Sequence, residues 1–340
     1  MALEAPAPVP GADAQPDDHG AALAEPVAGA PLSYGTPTPP DGDQKVTRVV
    51  SAEASLVRRV GEIWASRELL SNLVRTEIKV KYKNSFLGLV WSMVAPAMTL
   101  VIFFFVFQVI LKNGMPHFVI FLFSGLLIWN FFQTSVQAGT GVVVNNAGLV
   151  KKVSFPREIL ALAAVGSAGV FFFFQAIVMV IFLVVLHTTP EWSMLPVLVL
   201  ALLAGTVLAA ALSVLLSAIN VYLRDTQHLV EVLLTAWFWA CPIVYAYWRT
   251  VAKPLHQHGL TWLYFLNPVT PLVMTFQRVL YNIPVGHLTT KPFTKVRFLP
   301  PWPPSTYVLA DLAVLGFAVV LFVVALVVFG RLEGNFAEEL

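Results

Sequence analysis

The chain has 340 residues, of which 57% are hydrophobic and only 12% are charged, with a formal net charge of +2. A soluble protein carries about 25% charged residues, so this composition excludes an ordinary soluble domain and predicts an integral membrane protein. A single cysteine, Cys241, excludes an internal disulfide and a cysteine-based metal site.

Residues 1–48 are predicted to form a disordered cytoplasmic tail. The first 44 residues hold seven acids and no Lys or Arg, and they are rich in Ala, Pro and Gly. Such a segment cannot bury enough apolar surface to offset its ordering entropy. It also lacks the basic start and the apolar core of a signal peptide.

Residues 60–86 are predicted to form an amphipathic interface helix. Apolar residues recur every four positions between Ile63 and Asn84, and a basic stripe of Arg75, Lys79 and Lys83 repeats at the same spacing on another face. The stripe has two interpretations. It is either a surface anchor for anionic membrane lipids or a port that captures the phosphate head of a lipid-linked substrate.

Six apolar spans follow, each long enough for a bilayer of roughly 30 Å, so the predicted fold is an all-α integral membrane protein with six transmembrane helices. The cores of the first five contain no Asp, Glu, Lys or Arg, and Asp311 lies near one end of the sixth. Ion-coupled carriers usually keep an ionisable group in the membrane interior, so we expect an external energy source. The predicted spans are 89–111, 118–144, 159–186, 195–221, 230–248 and 306–330.

The positions of Lys and Arg predict the orientation of the spans. The basic helix before the first span places the N-terminus in the cytoplasm, and the loops at 145–158 and 222–229 then lie on the same side. The loops at 112–117 and 187–194, with one Lys and no Arg between them, face outward. Both termini, including the tail 331–340, are therefore predicted to be cytoplasmic.

The predicted outer segment 249–305 holds six basic residues and no acid. Within it, an apolar stretch from Trp262 to Asn282 is broken at Asn267-Pro268, and each half is too short to span the bilayer. We interpret it as a pair of short re-entrant, periplasmic helices between spans five and six. A seventh span, which would move the C-terminus outside, is the alternative.

The cytoplasmic loop 145–158 is short, polar and basic, and it has room for one short helix before Pro156. It either only sets the orientation of its neighbouring spans or forms the contact through which a separate ATPase moves the membrane domain. In the second loop, Arg224 and Asp225 are either an ordinary interfacial charge pair or a second contact. The candidate ATPase-coupling residues of the first loop are Lys151, Lys152, Val153, Phe155, Pro156 and Arg157.

The sequence contains no P-loop, no H-E-x-x-H and no G-x-S-x-G, so we assign no catalytic residue, no metal site and no cofactor to this chain. ATP and Mg²⁺ would bind to the separate ATPase, and no part of the sequence indicates that the chain binds nucleic acid. The fifth span carries four aromatic residues that either line a channel for a sugar polymer or belong to ordinary packing and the interfacial belt. They are Trp237, Trp239, Tyr245 and Tyr247.

The order of these parts resembles the membrane (permease) subunits of type-2 ABC exporters, in the polysaccharide branch of Wzm- and TagG-like permeases. The resemblance extends from about Leu69 to Phe329. The stretches that carry it are RTEIKVKYKNSFLGLVWSMVAPAMTLVIFFFVF, GLLIWNFFQTSV, NNAGLVKKVSFPREIL, NVYLRDTQHLVEVLL, WFWACPIVYAY and FLNPVTPLVMTFQ.

The resemblance implies a homodimer around a central channel in a bacterial plasma (inner) membrane, bound by two copies of a cytoplasmic ABC ATPase. It also implies that 89–330 is the transmembrane domain, that 145–158 carries the coupling helix and that 249–305 guards the outer exit. The substrate would be a polyprenyl-pyrophosphate-linked glycan of O-antigen, cell-wall galactan or teichoic acid type. The alternatives are a type-2 exporter of small molecules or drugs, a membrane glycosyltransferase and an ion-coupled carrier.

Overall fold

The computed structural model describes residues 56–82, 90–283, 285–288 and 295–340, and these residues are mostly helical. Three parts of the prediction lie outside the described residues. They are the tail 1–48, the stripe residue Lys83, and the adjoining ends of the interface helix and the first span at 83–89. Two helices precede the first apolar segment: α1 (Leu56–Ala65) and α2 (Arg67–Tyr82). The predicted helix 60–86 is therefore divided at Ser66 in the described residues.

Four of the described helices are long and apolar enough to cross a membrane. They correspond to the second, third, fourth and sixth predicted spans. The helices are α4 (Phe118–Asn145), α6 (Glu158–Val185), α7 (Leu195–Tyr222) and α13 (Pro304–Leu332).

The first predicted span begins as α3 (Val90–Phe104), which contains Pro96, and continues as a π-helical segment, Phe105–Ile110. Its apolar part, Val94–Ile110, is shorter than the four long apolar helices α4, α6, α7 and α13. The six-span count stays a prediction.

The prediction of a continuous fifth span at 230–248 was wrong. Helix α8 (Thr226–Ala240) ends seven residues before Tyr247, and Cys241 is extended with φ −98° and ψ 145°. The cause is Pro242, because a proline disfavours helical backbone in the residue before it. A helix of 15 residues is about 22 Å long, which is shorter than the roughly 30 Å of a bilayer core.

Short elements fill the segment between α8 and α13. The two halves of the predicted broken stretch are helical, with the break at Asn267-Pro268. A two-stranded antiparallel hairpin, in which Gly286 lies opposite Val296, was not predicted. The elements are α9 (Tyr247–Thr250), α10 (Ala252–Gln257), α11 (Thr261–Phe265), α12 (Val269–Leu280), β1 (Val285–His287) and β2 (Lys295–Arg297).

The long helices pack as one bundle in which α4 contacts α6 and α7, and α13 lies along α7. Helix α12 is only 12 residues long, yet it is buried over almost its whole length between α4, α7 and α13. A central apolar core runs through the bundle around Trp129, Phe121 and Phe276. Irregular backbone is tolerated inside a membrane only where protein or a water-filled cavity covers it, and the non-helical residues 241–244 after α8, which are all buried, meet that requirement.

The last ten residues do not form a free tail. A 3₁₀ turn, Glu333–Asn335, leads to α14 (Phe336–Glu339). The side chain of Phe336 is fully buried in an apolar cluster that includes Phe329 and the loop residue Val150. We call this group the α5-end cluster, after the six-residue helix α5 (Ala147–Lys152) that contains Val150.

Candidate functional site

The loop between α4 and α6 contains a six-residue helix, α5 (Ala147–Lys152). Its start follows from Asn146, whose amide Nδ2 donates to the carbonyl oxygen of Val142 at 2.8 Å, so the side chain covers one of the last carbonyls of α4. At the other end, Val153 is extended and stops the helix. The polar loop thus places one short helix across the end of the bundle.

The loop has an outer face and an inner face. Lys151, Lys152 and Val153 are exposed, and Val153 has 50% of its surface accessible. Val150 is buried in the α5-end cluster, and Phe155 is half-buried against the same cluster. Of the two apolar residues predicted to contact an ATPase, Val153 is therefore available to a partner, whereas Phe155 also supports the chain's own packing.

Two further predicted coupling residues, Pro156 and Arg157, lie on the inner side of the loop, before α6. The Nη1 of Arg157 donates to the backbone oxygen of Glu333 at 2.8 Å, and its Nε lies 3.7 Å from the Glu333 carboxylate. The guanidinium also lies over the ring of Phe336, 5.9 Å from its centroid. Arg157 is therefore bound to the C-terminal segment rather than presented to solvent like its neighbours Lys151 and Lys152.

The first residue of α6, Glu158, is almost completely buried and is paired with a residue that the sequence did not single out. The Nη1 of Arg59, in α1, donates to Glu158 Oε1 at 2.7 Å. A signal was present in the sequence, because Glu158 is the one acid in a basic loop, and a buried carboxylate requires a partner. The distant position of Arg59 could not be read from the chain.

The second predicted contact lies at the same end of the bundle. Arg224 and Asp225 are exposed at the turn between α7 and α8. The side chain of Gln227 lies against Gly141, one turn before the end of α4, since a Cβ at Gly141 would be 2.9 Å from Gln227 Oε1. Both polar loops therefore belong to one surface, which we call the α5 surface.

The basic stripe lies on the outer side of α2. Arg75 and Lys79 are both exposed. The opposite side of α2 packs on α6, where a Cβ added at Gly166 would meet Val74 Cγ2 at 2.8 Å. The glycine allows the two helices to approach closely, and the contact fixes the direction in which the stripe points.

The four predicted channel aromatics do not share one face. Tyr247 is buried and stacks on Tyr264 with 5.1 Å between ring centroids. Trp237 is half-buried and its Nε1 donates to Asn267 Oδ1 at 2.8 Å, while the hydroxyls of Tyr245 and Tyr264 are 3.1 Å apart. Of these four side chains, Trp239 is the exposed one, at 53%.

Polar side chains hold the break after α8 to the short helices. The Nε2 of Gln277, in α12, donates to the carbonyl oxygen of Pro242 at 2.7 Å, and both groups are buried. Asn267 Nδ2 lies 3.3 Å from the sulfur of Cys241. On the other side of α12, Thr275 Oγ1 donates to Asp311 Oδ2 at 2.9 Å, and Asp311 is fully buried. Helix α12 is thus bonded to both neighbouring segments.

Comparison with known proteins relates this arrangement to a transporter family. Residues 68–281 match the family described as ABC-2 type transporter. The O-antigen export system permease protein RfbA of Myxococcus xanthus is 33% identical over 229 residues, which cover 67% of this chain and 85% of the relative. The protein of the same name in Klebsiella pneumoniae is 26% identical over 273 residues, covering 80% of this chain and 95% of the relative.

Proposed function

We propose that this chain, which belongs to the ABC-2 type transporter family, is the channel-forming subunit of an exporter that moves a polysaccharide across the plasma membrane. As a permease it is not itself an enzyme. The observation that carries the proposal is its similarity, over most of their lengths, to permeases named for O-antigen export.

The energy would come from ATP hydrolysis on a separate chain. The full sequence has no P-loop, and a permease of an ABC export system works with an ATPase partner. The α5 surface supports this role, because exposed Lys151, Lys152 and Val153 offer two cations around an apolar contact. We propose that two copies of the ATPase bind the α5 surfaces of a homodimer and move the bundle through α5.

The finer identity of the substrate is also a proposal. We expect a glycan linked to polyprenyl pyrophosphate, because a pyrophosphate requires compensating cations at headgroup depth, and exposed Arg75 and Lys79 offer them. The second candidate is an exporter of small molecules or drugs of the same family. Transport of a free small molecule would not depend on cations of an interface helix.

The proposal is tested by a double variant on the α5 surface, Val153→Asp with Lys152→Glu. Both side chains are exposed, so folding and membrane insertion should be unchanged. Loss of a central apolar anchor can cost a protein interface about 2 kcal/mol or more, and the reversed charge adds repulsion. We expect co-purification of the ATPase and ATP-dependent glycan export to fall together, measured in proteoliposomes.

The matched control carries the same kinds of change in the predicted outer segment, Leu260→Asp with Lys253→Glu. Both of these side chains are also exposed. The control should bind the ATPase as the wild type does. Undiminished ATPase binding by the α5-surface variant would place the docking surface elsewhere. Full uptake of a small solute without glycan export would favour the second candidate.

A further inference from the structure

Arg59 lies at the meeting point of three segments that are far apart in the sequence. Its Nη1 donates to Glu158 Oε1 at 2.7 Å and to the backbone oxygen of Leu326 at 3.2 Å. Its Nη2 donates to Glu333 Oε2 at 3.2 Å. One guanidinium therefore joins α1 to the start of α6 and to the end of α13.

The site is built for a planar cation. The side chain of Arg59 is 18% exposed and that of Glu158 is 3% exposed, so the pair is largely shielded from water. The guanidinium lies flat against Gly330 of α13, and a Cβ at that position would collide with it. Several bonds from one side chain need the rigid fork of an arginine, which a lysine lacks.

A second arginine completes the network. Arg157 pairs with the same Glu333 carboxylate that Arg59 contacts. Two carboxylates and two cations thus alternate in an open chain, in the order Glu158, Arg59, Glu333 and Arg157, and their formal charges sum to zero. Because Arg157 immediately precedes α6 and Glu158 is its first residue, the group holds the end of the α5 loop against α1 and the C-terminal segment.

We propose that Arg59 is a positioning residue through which α1, the α6 end of the α5 loop and the C-terminal segment move as one body. This inference rests on the proposed function, in which a partner pushes on α5. A loop that was held only by its own backbone would bend under that push. With Arg59 in place, the displacement is passed to α13 and to α1, which leads into the interface helix α2.

The experiment is a substitution of Arg59→Gln in the full chain, reconstituted with its ATPase in lipid vesicles. The outer face of α5 is untouched, so the ATPase should co-purify in the wild-type amount. The glycan exported per ATP hydrolysed should fall about fivefold or more, at the lower end of a typical coupling free energy. A merely structural role would lower protein yield and leave that ratio unchanged.

Two further variants separate positioning from general damage. Arg58→Gln is the matched control, because Arg58 is the neighbouring residue and pairs with Glu62 on the exposed side of α1; its export ratio should equal that of the wild type. Gly330→Ala keeps every charge but displaces the guanidinium, so it should reproduce the lower ratio.

The possible results are distinct. A wild-type export ratio in both Arg59→Gln and Gly330→Ala overturns the inference, as does an equal fall in Arg58→Gln. A wild-type protein that shows no ATP-driven glycan export in the same vesicles overturns the proposed function instead. If Arg59→Gln yields no folded protein, the Gly330→Ala ratio decides the question alone.

Discussion

The bond from Gln277 to Pro242 gives the sharpest quantitative prediction. We expect Gln277→Met to loosen the break after α8 without disturbing the surrounding core. Methionine is unbranched and of similar length, and it fills irregular apolar gaps. The amide donor is the group that is lost, and the carbonyl oxygen of Pro242 loses the donor that lies 2.7 Å from it.

The magnitude follows from the burial of both partners. An acceptor left unsatisfied in a buried site costs about 1–3 kcal/mol, and the packing term is small because the volume is nearly conserved. About 2 kcal/mol changes an equilibrium constant by roughly 30-fold. Local opening of the segment between Cys241 and Tyr247 should become more frequent by about that factor.

Amide hydrogen exchange in detergent measures this opening directly. The amides of 243–246 should exchange about 30-fold faster in Gln277→Met than in the wild type, while those of α4 and α7 stay protected. Gln257→Met is the matched control, because Gln257 is an exposed glutamine of α10. It should leave exchange at 243–246 unchanged.

Unchanged exchange at 243–246 in Gln277→Met would refute the reasoning, because it would show that the break is held without the amide. Faster exchange throughout the bundle would also refute it, since the effect would then be global unfolding. A third variant serves as a check. Gly125→Ala places a Cβ 3.2 Å from Gln277 Nε2 and 3.4 Å from Ile243 Cα, so it should disturb both the amide and the segment that the amide holds, and speed exchange at 243–246.

Two further predictions concern topology and the basic stripe. A reporter fused after Leu340 should be cytoplasmic and one inserted near Gly286 external; an external C-terminal reporter would contradict the six-span prediction. Arg75→Glu with Lys79→Glu should lower export of the lipid-linked glycan more than it lowers protein level, because the reversed charges repel pyrophosphate. Arg67→Glu, an exposed reversal at the start of the same helix, is the control, and normal export by the double variant would make the stripe only an anchor.

The long apolar helices could be predicted from the sequence because length and composition alone determine them. Four of the six predicted spans correspond to helices that are long and apolar enough to cross a membrane. The break at Asn267-Pro268 was equally readable, because proline acts locally. The hydropathy of the fifth span continues through Pro242 and therefore predicts one helix. The effect of that proline on the residue before it could also have been predicted from the sequence.

The network around Arg59 could not be predicted, because its bonds join residues 99 and 267 positions apart. Periodicity and composition report which face of a helix is apolar and do not report which distant charge will meet it. The tail residue Phe336 carried a weaker signal, since an aromatic side chain in a short charged tail is often buried. The inward direction of Phe155 could not be predicted either, because the cluster it packs against is formed by segments that are distant in the sequence.

The bond between Gln277 and Pro242 also bears on how the chain is assembled. The two residues are 35 positions apart, so the carbonyl of Pro242 is synthesised well before its donor. An unsatisfied backbone group in lipid costs several kcal/mol, so we expect the Pro242 carbonyl to stay hydrated, at the bilayer surface or within the insertion machinery, until α12 has been made. We therefore expect the segment after α8 to reach its final position only when the nascent chain has passed Leu280.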